Sequence, residues 1–195
     1  NKGPLSSAYN NIAEIHRFVG DYNQAVANYE KAIKLLEEID HIEGLARTTN
    51  NLGIVYLYLK DYEAAISHHE KALALNKEIN NQRGIMHCLG NLGLVYQDQG
   101  KLDEAISKFR TILAMCIKMN DHVGSSMTYS NMGSIMEAKD QLDSSIFYYQ
   151  KSLDICEEKG FKEGVTINSK GIGKVDQLMG MNKEAEKAYK RAKQL

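Results

Sequence analysis

An all-α, right-handed α-solenoid of five helical hairpins is the fold class predicted by three observations on this chain. First, Asn11, Asn51, Asn91 and Asn131 recur at a step of 40 residues, followed by Ile-Ala, Leu-Gly, Leu-Gly and Met-Gly, and a fifth copy reads Gly171-Ile172-Gly173. Second, apolar residues within one period fall at three-to-four spacing in two consecutive segments: Leu45, Leu52, Val55, Tyr56 and Leu59, then Tyr62, Ala65, Ile66, Ala72, Leu73 and Ile79. That is the helical period. Third, the one proline is Pro4, so nothing beyond it forces a kink. A fixed step of about 20 to 50 residues signals stacked units sharing a continuous core rather than separate domains.

The five repeats are expected over approximately residues 5–42, 43–82, 83–122, 123–162 and 163–195, as a single array. Asp21 in the first repeat and Asp61 in the second follow the first helix and are suited to N-cap the second. Glycine disfavours a helix interior by about 1 kcal/mol relative to alanine, yet Gly53, Gly93, Gly133 and Gly173 recur in the first helices. The expected reason is steric. A missing side chain facing Ala65, Ala105, Ser145 or Ala185 lets two backbones approach, while His69, Phe109, Tyr149 or Tyr189 fills the outer gap one turn on. The fifth repeat keeps apolar Ile172, Val175, Leu178, Ala185 and Ala188 with no repeat after it, so end-to-end self-association of the chain is expected. A start without methionine and a stop inside the helical pattern KRAKQL read as part of a longer chain.

Composition narrows the function. The 195 residues are 43% hydrophobic, and 24 Lys and Arg nearly cancel 25 Asp and Glu, so no basic excess points to nucleic acid. No apolar run approaches the roughly 20 residues of a membrane span, and no signal-peptide pattern opens the chain. Cys88, Cys116 and Cys156 form no CxxC and no disulfide framework, which fits core packing in a reducing, cytoplasmic compartment. No nucleophile with its base, metal-ligand cluster or phosphate loop has the spacing its chemistry needs, so neither catalysis nor a cofactor or metal is expected. His68 and His69 are adjacent, about 100° apart around a helix, and cannot share one ion. His69 fits its column as a packing ring.

Leu-Gly-x-x-Tyr at Leu52–Tyr56 and Leu92–Tyr96, followed by Ala65 and Ala72, resembles the tetratricopeptide repeat, and the likeness runs over essentially the whole chain. The 40-residue unit is longer than the commonest one. Its inter-hairpin segments IDHIEG, INNQRG and MNDHVG look like the long repeats of Partner-of-Inscuteable type adaptors and kinesin light chains, and related units occur in bacterial regulators. The resemblance implies an interaction module that binds a protein or peptide partner. It also implies asparagines that hold a peptide. Two departures matter: Glu14, Ile54, Leu94, Ser134 and Lys174 stand where such adaptors usually carry a second asparagine, and only Arg47 occupies their arginine column. No three consecutive first helices supply the Lys, Arg and Asn set that clamps a C-terminal carboxylate.

In such arrays the first helices line the inner, concave wall, and the face each turns away from its packing partners is the expected binding groove. The candidate peptide-binding residues are Asn11 in the first repeat, Arg47, Asn50, Asn51 and Tyr58 in the second, His87, Asn91 and Leu94 in the third, and Asn131 in the fourth. Asparagine is a mediocre helix former, so its recurrence asks for a reason. One reason is a ladder of primary amides, each able to pair with the C=O and N–H of an extended backbone without the desolvation cost of a charge. The other is bonding between neighbouring helices. At about 10 Å per repeat, four rungs would match an extended segment of about nine residues. The alternative function is a regulatory or sensor module that binds a signalling peptide or an attached effector domain.

Overall fold

The computed structural model describes residues 2–193. Asn1, and Gln194 and Leu195 at the end of the expected fifth repeat, lie outside the described residues. Ten helices follow one another: α1 Lys2–Phe18, α2 Tyr22–Glu37, α3 Ile42–Tyr58, α4 Tyr62–Glu78, α5 Gln82–Asp98, α6 Leu102–Lys118, α7 His122–Ala138, α8 Leu142–Lys159, α9 Lys162–Leu178 and α10 Asn182–Lys193. They fall into two compact units, Asn1–Gln99 with α1 to α5 and Gly100–Leu195 with α6 to α10. None of these helices is long and apolar enough to cross a membrane.

The turns explain the regularity. Gly20, Asp40, Lys60, Asn80, Gly100, Asn120, Asp140, Gly160 and Gly180 all have positive φ, from 51° to 81°, and stand every 20 residues. Each is the left-handed residue that stops a helix. After α3, Asp61 N–H donates to Tyr56 O at 2.9 Å and Lys60 N–H to Leu57 O at 3.0 Å. After α2, His41 N–H donates to Leu36 O at 3.1 Å and Asp40 N–H to Glu37 O at 3.3 Å. This is the paired 6→1 and 5→2 closure. The turn inside a hairpin and the turn between hairpins are therefore the same device, and the residues beyond the commonest repeat length go into longer helices.

At five of these turns the residue after the left-handed one caps the next helix with its side chain, whereas Lys101, Gln141 and Phe161 make no such bond. Asp21 and Asp61 accept from Gln24 N–H (3.3 Å) and Ala64 N–H (3.1 Å), as the sequence predicts. Asn81 and Asp121 cap α5 and α7 through the N–H groups of Gly84 (3.1 Å) and Gly124 (2.8 Å), and His41 caps α3 through Nδ1 at 3.0 Å from Gly44 N. Those N-terminal glycines are forced by contact. A Cβ on Gly84 would lie 1.9 Å from Asn76 Oδ1, and one on Gly164 2.4 Å from Cys156 Sγ.

In the first unit α1 packs on α2, α2 on α3, α3 on α4 and α5, and α4 on α5. Its core gathers Ala13, Ala25, Tyr29, Leu52 and Val55, with Tyr22, Val26, Ile33 and Tyr56 against it. In the second unit α6 packs on α7, α7 on α8 and α9, α8 on α9, and α9 on α10. Leu153, Cys156 and Val165 pack there with Phe161 and Ile172. Two alanine columns become serine in α8, and the buried hydroxyls are satisfied: Ser145 Oγ donates to Gly133 O (2.8 Å) and Ser152 Oγ to Ser126 O (2.7 Å).

At the mid-helix glycines the nearest neighbour is the ring of the second helix. A Cβ on Gly53 would lie 2.7 Å from His69 Cε1, and a Cβ on Gly133 or Gly173 2.9 Å from a ring carbon of Tyr149 or Tyr189. The glycine makes room for the ring, and Ser145 still reaches Gly133 through its hydroxyl. Val175 and Ala185 are buried in the second unit, and Leu178 is the exposed member of that set. On α1, Leu5, Ile12 and Ile15 are exposed, whereas Leu52 and Val55, the counterparts of Ile12 and Ile15 on α3, are buried.

Candidate functional site

The first helices of the first unit, α1, α3 and α5, carry eight of the nine candidate residues, and Asn131 stands on α7 in the second unit. Asn11, Arg47, Tyr58, His87 and Leu94 are exposed, while Asn50, Asn51, Asn91 and Asn131 are half-buried. Tyr58 is held by stacking on Tyr22 of α2, with ring centroids 5.4 Å apart. Below it, the Lys60 ammonium donates to Asp98 at 2.8 Å.

Two of the four periodic asparagines, Asn51 and Asn91, bond between repeats. Asn51 Nδ2 donates to Glu14 Oε1 at 2.8 Å, linking α3 to α1, and Asn91 Nδ2 donates to Asn50 Oδ1 at 3.1 Å, linking α5 to α3. Each interaction consumes one N–H. A primary amide has two donors and an acceptor, so among the described residues Asn51 and Asn91 each keep one N–H and their Oδ1. That remainder is the pair of groups needed to meet one C=O and one N–H of an extended backbone. For Asn51 and Asn91 the bonding between neighbouring helices is present in the structure.

Glu14 is a hub that sequence reasoning noticed only as a departure. Its Oε1 also accepts from the Tyr29 hydroxyl, and its Oε2 accepts from Arg17 Nη2 at 2.6 Å and Nε at 3.2 Å. Burial, then the bond to Glu14, raises the Tyr29 hydroxyl pKa, while the Glu14 hydrogen bond raises that of Arg17. The signal was an acid three residues after Asn11 and three before an arginine, on a helix face that must be half-covered. His69 plays the Tyr29 role in the second repeat. Its Nδ1 is 2.9 Å from Asn50 Oδ1, which also accepts from Asn91, so the proton belongs on His69 Nδ1. The ring is fully buried, Nε2 has no partner among the described residues, and burial lowers its pKa to about 4.

No group of three His, Cys, Asp or Glu among the described residues could hold a metal ion. Cys88, Cys116 and Cys156 are all buried, and burial pushes the Cys88 thiol up to about 11, far from a nucleophile's range.

The tetratricopeptide repeat family matches residues 4–78 and 84–158, well over half of the chain. No curated protein matches it. Among solved structures, BtubC from P. vanneervenii is similar with a TM-score of 0.85 at 18% identity, covering 98% of this chain and 80% of that one. A Podosopora anserina protein of kinesin light chain type, with nearly identical TPR-like repeats, gives 0.80 at 14% identity, covering 98% and 94%. The Rap conjugation gene regulator of the plasmid pLS20, in complex with the Phr* peptide, gives 0.73 at 21% identity; the match covers 92% of this chain and half of the regulator. At these identities the structures establish the fold alone. With the family match over four expected repeats, the chain belongs to the tetratricopeptide repeat family, whose members are interaction modules.

Proposed function

We propose that the chain binds an extended segment of a partner protein along the outward face of its first helices, through the backbone of that segment. The carrying observation is the state of Asn51 and Asn91. Each amide is fixed by one bond to the neighbouring repeat, with one donor and one acceptor left. Fixing the amides before binding reduces the ordering cost of recognition. The proposal includes five hairpins in one right-handed array, over the repeat boundaries given above, and a cytoplasmic setting suited to three thiols. Nucleic acid is not the proposed ligand, because Arg47 is the only cation among the candidate residues. Catalysis is no part of the proposal.

A regulatory reading is favoured by one observation: the pLS20 Rap regulator, of the same fold, is in complex with a peptide. In that version the bound segment is a free signalling peptide and the array controls an attached activity.

The test is selection from a displayed library of random segments of about ten residues, followed by titration of the selected peptide. Asn51→Ala with Asn91→Ala should weaken binding by about 1 to 3 kcal/mol. The helical fold should persist, since alanine is the better helix former and Glu14 keeps Tyr29 and Arg17. Unchanged affinity together with a large drop in thermal stability would assign the asparagines to inter-repeat bonding alone.

A further inference from the structure

Near the starts of α1 and α3, beside the end of α2, lies a cavity of about 210 Å³. Leu36 and Ile39 supply its apolar wall, and its polar walls include Ser7 and Asn10 of α1, His41 at the cap of α3 and Arg47 of α3 itself. No Asp or Glu lines it. Ser7, His41 and Arg47 are exposed and Asn10 is half-buried, so a ligand from solvent can reach all four.

Internal hydrogen bonds decide what these side chains have left to offer. Asn10 Oδ1 accepts from the Thr48 hydroxyl at 3.3 Å, which leaves both N–H groups of Nδ2 uncommitted. His41 Nδ1 accepts from Gly44 N–H at 3.0 Å, and this places the proton of the neutral ring on Nε2. A guanidinium carries five N–H groups and no acceptor, and that of Arg47 makes no hydrogen bond or ion pair among the described residues. The Ser7 hydroxyl is equally uncommitted there. Such a set suits a ligand group that only accepts. Its charge is limited too, because Arg47 is the one fixed cation of the walls and Lys2, beside them in sequence, already pairs with Glu38 at 3.0 Å. A single negative charge is therefore the match.

We propose that this cavity is a site for one carboxylate of the segment bound along the first helices, and that it sets the register of that segment. The proposal rests on the segment-binding reading above. Arg47 takes the two carboxylate oxygens side by side, and Asn10, His41 and Ser7 donate to the lone pairs that remain. Leu36 and Ile39 meet the methylene groups that carry the carboxylate. The column of Arg47 continues as His87, Met127 and Ile167, so the site occurs once. Amide rungs can hold any backbone, whereas this cavity reads one side chain at one place.

The test repeats the library selection with the full chain and with its Arg47→Leu and Arg47→Glu variants. Segments selected by the full chain should share an Asp or Glu at one position about tenfold more often than those selected by Arg47→Leu. Arg47→Glu should select Lys or Arg there instead. One selected segment is then synthesised with that acid replaced by Gln or Asn, and separately with its terminal carboxyl amidated. A loss of about tenfold in affinity on the first change supports a side-chain carboxylate; the same loss on amidation alone, absent with Arg47→Leu, supports the same site filled by a chain terminus. Full affinity after both changes overturns the proposal, as does an acid preference that survives Arg47→Leu. Inorganic phosphate that displaces the segment through Arg47 at concentrations where acetate does not would also overturn it, in favour of a phosphate site. A selection that yields no segment defeats the segment-binding reading and this site with it. Segments that depend on Asn51 and Asn91 but on neither carboxylate defeat this site alone.

Discussion

His69 stands in a column otherwise filled by Tyr29, Phe109, Tyr149 and Tyr189, and it does the same packing work with a titratable ring. It lies against Gly53, fully buried, with Nδ1–H committed to Asn50 and Nε2 facing no acceptor among the described residues. Protonation would place a charge and an unsatisfied N–H in the core. Burial therefore holds the folded pKa near 4, below the ordinary 6.5. Between these values the unfolded chain binds the extra proton, so stability is fully present above about pH 6.5 and falls as pH drops toward 4. The expected loss between pH 7.5 and 4.5 is about 2 to 3 kcal/mol. Urea unfolding at the two pH values measures it, and His69→Phe should remove that part of the slope. An identical slope in the variant would locate the acid sensitivity in other groups.

At the scale of the element, the helix ends decide the architecture. Gly160 closes α8 at φ 73°, and a Cβ there would meet nothing within 4 Å. A substitution consequently reports backbone conformation alone. Gly160→Ala should cost about 1 kcal/mol, and Gly160→Asn clearly less, because Asn80 and Asn120 hold the same conformation at φ 54°. Chemical denaturation of the two variants checks the order, and equal costs would refute the left-handed account. Much of this level was legible beforehand. The step of 40 residues and the apolar spacing located the helix pairs, and Asp21 and Asp61 marked their caps. What the sequence did not reveal depends on three-dimensional approach. Periodicity shows that Gly53 is special, but only packing shows that the His69 ring is the reason. Likewise Glu14 read as an exception in its column until α1 and α3 came together and made it the acceptor for Asn51, Tyr29 and Arg17.

For the whole molecule, the left-handed residue every 20 positions means that the turn within a hairpin and the turn between hairpins are interchangeable. Removing residues 41–80 would leave Asp40, already left-handed, followed by Asn81, already a cap. Asn91 would then take the place of Asn51 beside Glu14, and Leu36 would approach Gly84 as it now approaches Gly44. The shortened chain is expected to remain helical and to unfold cooperatively at a lower temperature, as circular dichroism during heating would show. A non-cooperative melt would mean that the repeats are less equivalent than their turns. In genetic terms, a duplication or loss of 40 codons starting at any of these turns preserves the structural reading frame. Unequal recombination can therefore lengthen or shorten such a gene with little regard for where the crossover falls within the hairpin.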